Sequence, residues 1–458
     1  MAEIRPFRCI RPAREAASMV AALPYDVYSR QEAKKEVEKN PMSFLAVDRA
    51  ETQFPDDVDL HDPRVYEKAR ELLGKWQEEG ILLEDHAECY YVYELTMNGR
   101  SQAGIVACAS VDDYVDGVIK KHENTREDKE QDRICHVDVT EAHTGPIFLA
   151  YRSDPELNRI MDEVRSQEAL YDFTAEDGVR HRVWKAVEGK TSGDAADMAD
   201  EKKPNQAEKA GDDDWTSRIR RQFEQMKSIY IADGHHRAAS AVKVGLKRRK
   251  EHPDYSGQEA FHFFLSVLFP DDQLLIMPYN RVVKDLNGWS AAGLLEKAGE
   301  RFMVRECVDA GRMEEGRTGN GETEKHASGP ACQPKEPHHM GMYLEGRWYE
   351  LEVKPEYITK DPVKGLDVSI LQDLLLEPIL GIHDPRTDER IQFVGGIRGI
   401  AELERLVDKG EGAVAFAMYP TSVQELFSVA DAGLLMPPKS TWFEPKLRSG
   451  LFIHSFKI

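Results

Sequence analysis

The sequence predicts an α+β protein built from mixed or antiparallel sheets with flanking helices. Two observations lead there. Runs rich in β-branched and aromatic residues follow one another across turn dipeptides more often than they alternate with helices. Between two polar stretches and around them, strand-like and helix-like segments are mixed, with residues 65–78 carrying their apolar residues on one helical face.

In chain order, Val65, Ala69, Leu72, Leu73 and Trp76 share one face and predict a helix over 65–78. Cys89 to Met97 and Ala103 to Ser110 flank Asn98-Gly99, a favoured hairpin dipeptide. Val111 to Ile119 reads as a strand. A strand, a tight turn and a helix start are expected across Tyr230 to Ser240. Phe261 to Phe269 and Leu274 to Val283, around Pro270 to Gln273, predict a second hairpin. Leu366 to Leu380 predicts a buried helix, and Ile391 to Val394 and Ala413 to Met418 predict strands. Thr421 and Ser422, followed by Gln424 and Glu425, predict a capped helix start. The prolines of Met436 to Gly450 predict a loop.

Two polar stretches, 190–214 and 309–340, lack apolar periodicity and read as mobile surface inserts. They divide the chain into an N-terminal α+β region (1–189), a central region (215–308) and a C-terminal α+β region (341–458), as separate units or one composite domain. At 458 residues the chain can bury a large core. Its 82 acidic and 61 basic residues give a net charge of −21, which disfavours broad electrostatic binding of nucleic acid. No run of eighteen apolar residues predicts a membrane span, and Met1 to Arg8 is not an apolar signal segment. Six scattered cysteines without a CxxC pair predict reduced thiols and a cytoplasmic location. The composition is compatible with a homo-oligomer.

The most informative segment is Asp233-Gly234-His235-His236-Arg237. At a strand–turn–helix junction the first helical N–H groups lack intrahelical partners and carry the positive end of the helix dipole. An anion is bound there by geometry already present. Gly234 permits close approach, Arg237 adds a planar fork for phosphate oxygens, and two histidines add donors that titrate near neutral pH. The plainer alternative is a helix capped by Asp233 with two exposed histidines. Neither the dinucleotide fingerprint nor the P-loop spacing is present.

A second constellation runs from Lys120 to Arg133. Lys121, Arg126, Lys129 and Arg133 are candidate phosphate contacts, and Glu123 is a candidate carboxylate for an acceptor hydroxyl. A solvated charged helix is the alternative, although Glu123/Glu127 and Lys129/Arg133 would repel at i,i+4. Lys439, Ser440, Thr441 and Lys446 in the late loop are further phosphate candidates, and Asp26 and Arg281 are substrate candidates. His122, His136, His235, His236 and His262 could cluster with Asp271 or Asp272, but no HExxH or CxxC spacing supports a transition-metal site and adjacent histidines seldom point at one ion, so no protein metal ligands are expected. Mg²⁺ accompanying a nucleotide needs only one or two carboxylates beside phosphate oxygens.

Together, Arg5-Pro-Phe, Pro24-Tyr25-Asp26, Lys121-His122-Glu123, Ala232 to Arg237, Pro278-Tyr279-Asn280-Arg281 and Met436 to Thr441 resemble the uncharacterised DUF1015 family. The resemblance covers most of the chain outside the two inserts. The Gly-His-His-Arg turn is also similar to the phosphate motif of the ParB and sulfiredoxin-like fold, which includes free-serine kinases. It implies a nucleotide-binding core of that type, with Gly234, His235, His236 and Arg237 on phosphates and Glu123 as base. ATP or ADP with Mg²⁺ and free L-serine are the implied cofactors and substrate. The order of motifs departs from ParB, because Glu123-Asn124-Thr125-Arg126 precedes the turn. No cysteine stands beside the turn as a sulfiredoxin requires. A nucleotide-binding switch or scaffold and a phosphoester or nucleotide hydrolase remain as alternatives to the kinase.

Overall fold

The computed structural model describes residues 1–125, 127–187, 214–307 and 332–457, with the side chains of 128 and 129 outside the described set. The chain divides into two compact units, Met1–Leu274 with Pro445–Ile458, and Leu275–Glu444.

The first unit is organised on a nine-stranded mixed sheet. Its order is Ile119–Lys120, Ile229–Asp233, Ile147–Tyr151, Phe263–Pro270, Arg100–Ser110, Tyr91–Met97, Arg180–Lys185 and Tyr171–Thr174, with Ile4–Arg5 also paired to Arg100–Ser110. Ile229–Asp233 runs parallel to Ile119–Lys120, and Phe263–Pro270 runs parallel to Ile147–Tyr151. The remaining pairings are antiparallel. The expected hairpin is present, with Asn98 and Gly99 both at positive φ, as a type I′ turn requires. Four further strands, Leu82–Glu84, Cys9–Pro12, Ile453–Ser455 and Ala142–His143, form a small sheet. Helix Pro63–Glu78 starts on Asp62 and buries Val65, Ala69, Leu73 and Trp76, as the periodicity predicts.

The second unit holds a six-stranded antiparallel sheet in the order Phe302–Glu306, Arg347–Val353, His339–Leu344, Val414–Ala417, Tyr279–Val283 and Ile391–Gly395. Helix Ile400–Asp408 packs Leu403 and Leu406 onto Val282, Val394 and Ala415. Ser422 caps helix Val423–Asp431 in a capping box with Glu425.

The architecture is α+β with mixed sheets and flanking helices. Several local expectations change. Phe263–Pro270 and Tyr279–Val283 do not pair with each other, because each finds partner strands in its own unit. Val111–Val115 is a short helix, since Ser110 accepts from the N–H groups of Asp112 and Asp113. Residues 366–380 begin as helix Asp367–Leu371 and widen into a π turn at Gln372–Leu376. The loop after Met436 contains strand Trp442–Glu444, paired with Leu275–Met277. Most of both predicted inserts lies outside the described residues. At their edges, Asp214 caps helix Trp215–Gln225 and His339 opens a strand. Cys307 and Cys332 are joined in a disulfide, unlike the all-reduced expectation.

The first unit buries many histidines, among them His136, His143 and His181. Burial, followed by the nearby Arg448 charge, pushes His181 down to about 3. Burial and Arg133 push His136 down to about 4. Their unfolded value is near 6.5. Below pH 6.5 the unfolded chain therefore binds more protons than the folded one, and stability falls as pH drops toward 4. Urea unfolding of the first unit is expected to show a midpoint that declines between pH 7 and 5, before carboxylates protonate; a flat midpoint over that range would refute it. Gly245 supplies a second expectation. A Cβ there would lie 2.6 Å from the Phe261 carbonyl oxygen. Gly245→Ala should cost about 1–3 kcal/mol through overpacking, despite the usual gain in helix propensity, read as a lower urea midpoint.

Candidate functional site

The site grows from one strand register. Ile229 pairs with Ile119 and Tyr230 with Lys120 in parallel. Two parallel strands deliver the residues that follow them to the same sheet edge. His122 and Glu123 therefore arrive beside Asp233 and His235. Both strands are anchored by Ile119, Ile229 and Ile231, which share a core cluster with Ala238 and Ala241 of the following helix.

Helix His235–Glu251 starts at Gly234, which has φ 90° and ψ 32°. No side chain caps this end, and the first intrahelical bond runs from the Ala238 N–H to the Gly234 carbonyl. Asp233 is not the cap. Its Oδ1 accepts from the Gly234 N–H at 2.8 Å, and its Oδ2 pairs with Lys446 at 3.0 Å. Burial works to raise the Asp233 carboxyl, but Lys446, Arg237 and the Gly234 N–H together hold it well below the usual carboxylate range. Arg237 folds back over the glycine, so that a Cβ at 234 would lie 3.2 Å from its Nε. Its Nη1 donates to the Pro146 carbonyl at 2.8 Å.

His235 is buried, and His122 still more so at 2% exposure. Their rings meet edge to face at a centroid separation of 4.5 Å. The His122 backbone N–H approaches His235 Nε2 at 3.5 Å, and His235 Nδ1 lies 3.9 Å from Glu123 Oε2. Burial, then the neighbouring His122, pushes His235 well below the ordinary histidine range. Burial pushes His122 down to about 4 against the pull of Asp233. Both rings are neutral at pH 7, so the sequence-based idea that His235 titrates near neutrality gives way to its burial. His236 is half-buried, and its carbonyl accepts from Ser240 Oγ at 2.7 Å. Lys121 is exposed, and its charge acts on His235.

A family model described as a protein of unknown function, DUF1015, matches residues 4–369. The chain belongs to the DUF1015 family. No curated protein matches it. Among solved structures, a free serine kinase in complex with AMP shares 14% identity, covering 76% of this chain and 92% of its own, at a TM-score of 0.32. A conserved hypothetical protein from Pyrococcus furiosus shares 13%, covering 76% and 94%, at 0.32. SbnI with a C-terminal truncation, from Staphylococcus aureus, shares 10%, covering 75% and 85%, at 0.34. Likenesses this distant carry no argument about substrate or chemistry.

The DUF1015 site thus brings Glu123, Asp233, Gly234, His235 and Arg237 to one helix end. Arg133 is buried. It stacks 4.0 Å over the Tyr25 ring and pairs with Asp132 at 2.7 Å. With Arg237, Asp48, His136 and Thr144 it lines a cavity of about 30 Å³. That volume holds one or two water molecules. Asp26 is exposed on the short 3₁₀ turn Tyr25–Val27. Arg126 lies outside the described residues, as does the side chain of Lys129. Arg281, Lys439, Ser440 and Thr441 belong to the second unit. There Arg281 is buried and donates to the carbonyls of Tyr279 and Lys439. Ser440 is also buried and donates to the Pro437 carbonyl at 2.6 Å, while Thr441 is half-buried. Lys439 is exposed, with its ammonium 5.4 Å from the Tyr279 ring.

The sequence places His122 and His235 among five histidines that could cluster, and the parallel register is what brings these two together. Gly234→Ala is expected to disturb this end of the helix twice, through positive φ and through contact with Arg237, at a cost of about 1–3 kcal/mol. A lower melting temperature, read by scanning calorimetry, checks it; an unchanged one would refute it.

Proposed function

We propose that this DUF1015 protein is a small-molecule phosphotransferase. It binds nucleotide phosphates at the N-terminal end of helix His235–Glu251 and passes a phosphoryl group from ATP or ADP to a hydroxyl acceptor. The observation that supports this is a half-exposed carboxylate beside an anion-ready helix end: Glu123 Oε2 lies 3.9 Å from His235 Nδ1. Helix N–H groups and nearby cations favour phosphate oxygens there. A carboxylate at the same point is suited to take a proton from an attacking hydroxyl.

Each side chain then has a defined task. The Gly234 turn lets phosphate approach the backbone closely. Lys446 and Arg237, both held near Asp233, set a positive field on one side of the turn. Lys121 adds exposed charge. Neutral His235 donates or accepts a hydrogen bond without adding charge. In the transfer, the acceptor O–H breaks with its proton passing to Glu123, the acceptor oxygen bonds to the terminal phosphorus, and the bridging oxygen leaves with the remaining nucleotide. Mg²⁺ bound with the nucleotide would neutralise polyphosphate charge, with Asp233 and Glu123 as the carboxylates at hand. L-serine is the first acceptor to try, since the Asp-Gly-His-His-Arg turn resembles that of free-serine kinases; O-phosphoserine would be the product.

Phosphorus NMR of the protein with Mg²⁺, ATP or ADP, and a pool of hydroxyl compounds containing L-serine reads this directly. A new phosphomonoester resonance that requires the acceptor is expected. Nucleotide that stays intact while binding saturably, or phosphate released without acceptor, would overturn it in favour of a switch or a hydrolase respectively. Glu123→Gln should keep nucleotide affinity within a few-fold and lower transfer by roughly 10²-fold or more. Full activity in that variant would remove Glu123 from the role of base.

A further inference from the structure

The trio His122, Glu123 and His235 has a property that phosphoryl transfer does not use. Each residue offers one ligand atom, and these three atoms lie within 4.8 Å of one another. His122 is 2% exposed and neither of its ring nitrogens makes a well-formed hydrogen bond among the described residues, although the Ile231 carbonyl acts on the ring. A buried imidazole left in this way carries a desolvation cost that a ligand can recover.

We propose that His122, Glu123 and His235 form a binding site for a divalent transition-metal ion of the Zn²⁺ type. Two imidazoles and one carboxylate suit such an ion, whereas Mg²⁺ and Ca²⁺ favour oxygen ligands. Ligand atoms around a tetrahedral Zn²⁺ stand roughly 3.3–3.5 Å apart. The trio must therefore close by about an ångström. The Glu123 side chain, 46% exposed, is the member of the trio least held by packing. Coordination through His235 Nδ1 moves that ring's proton to Nε2 and gives up only the long 3.5 Å approach of the His122 N–H. Three protein ligands leave a fourth position open to water or a phosphate oxygen.

The inference goes beyond the phosphotransferase reading and does not need it, since metal binding is measured without turnover. If both hold, they interact. An ion that takes the Glu123 carboxylate removes the proton acceptor, so the metal-loaded protein should transfer more slowly than the metal-free protein.

The test uses the full chain, stripped with chelator and titrated with Co²⁺ and then Zn²⁺. One equivalent of Co²⁺ should bind with a visible ligand-field spectrum, and Zn²⁺ should displace it. His122→Ala should weaken binding by at least ~10-fold, with folding checked by circular dichroism. Glu123→Gln, whose side chain is half exposed, should alter the Co²⁺ spectrum and serves as the second variant if His122→Ala misfolds. Glu88→Gln, an exposed acid elsewhere in the first unit, should change nothing. Absence of saturable binding, or binding that His122→Ala and Glu123→Gln leave unchanged, would overturn the site. Loss of transfer with metal binding intact would instead count only against the phosphotransferase.

Discussion

Everything at the candidate site depends on one short stretch of parallel pairing. Only Ile119–Lys120 and Ile229–Tyr230 take part in it. Yet side-chain direction alternates along a strand, so a slip of one residue would exchange inward and outward faces and part Glu123 from His235. The register is held by burial. Ile119, Ile229 and Ile231 are all within 2% of full burial, and Ile231 also pairs with Leu149 on the other side. The register shift between Ile231 and Asp233 then turns the chain toward the glycine. A buried sheet thus fixes two buried histidines beside one half-exposed carboxylate.

The turn itself reconciles two opposed demands. An anion site needs open N–H groups, and a buried helix end needs satisfied ones. Asp233 resolves part of this by accepting from Gly234, and the carboxylate is in turn held by Lys446, which the chain supplies after returning from its second unit. Arg237 is anchored to Pro146 and lies over Gly234, so its charge is positioned before any ligand arrives. Positioning of this kind lowers the ordering cost that ligand binding would otherwise carry.

What was legible in the sequence was local. The Asn98-Gly99 hairpin, the Ser422/Glu425 capping box and the strand–Gly234–helix junction each follow from interactions among residues close in sequence. What was not legible required partners from far along the chain. The turn after Pro270 has ordinary hairpin chemistry, but the flanking strands belong to different units, and no local signal records that. Val111–Val115 could have been found, because Ser110 followed by Asp112 and Asp113 is a helix start. Arg133 shows how a charged residue's surroundings escape a local reading. Its stacking on Tyr25 depends on a contact across more than a hundred residues. The two histidines of the cluster were visible as residue types, but their edge-to-face meeting is a consequence of the parallel register.

That meeting also separates the chemistry available at this helix end into two kinds. The charged groups, Asp233, Lys446 and Arg237, are already engaged with one another or with backbone, so an incoming anion finds a field rather than loose partners. The imidazoles of His122 and His235 are in the opposite condition. They are neutral, close together, and in the case of His122 buried without a well-formed bond. The proposed anion site draws on the first set and the proposed metal site on the second, and Glu123, half exposed, stands between them. Which chemistry prevails is therefore decided by the occupant of a single side chain's reach, a competition that follows from placing two strands in parallel and ending one of them at a glycine.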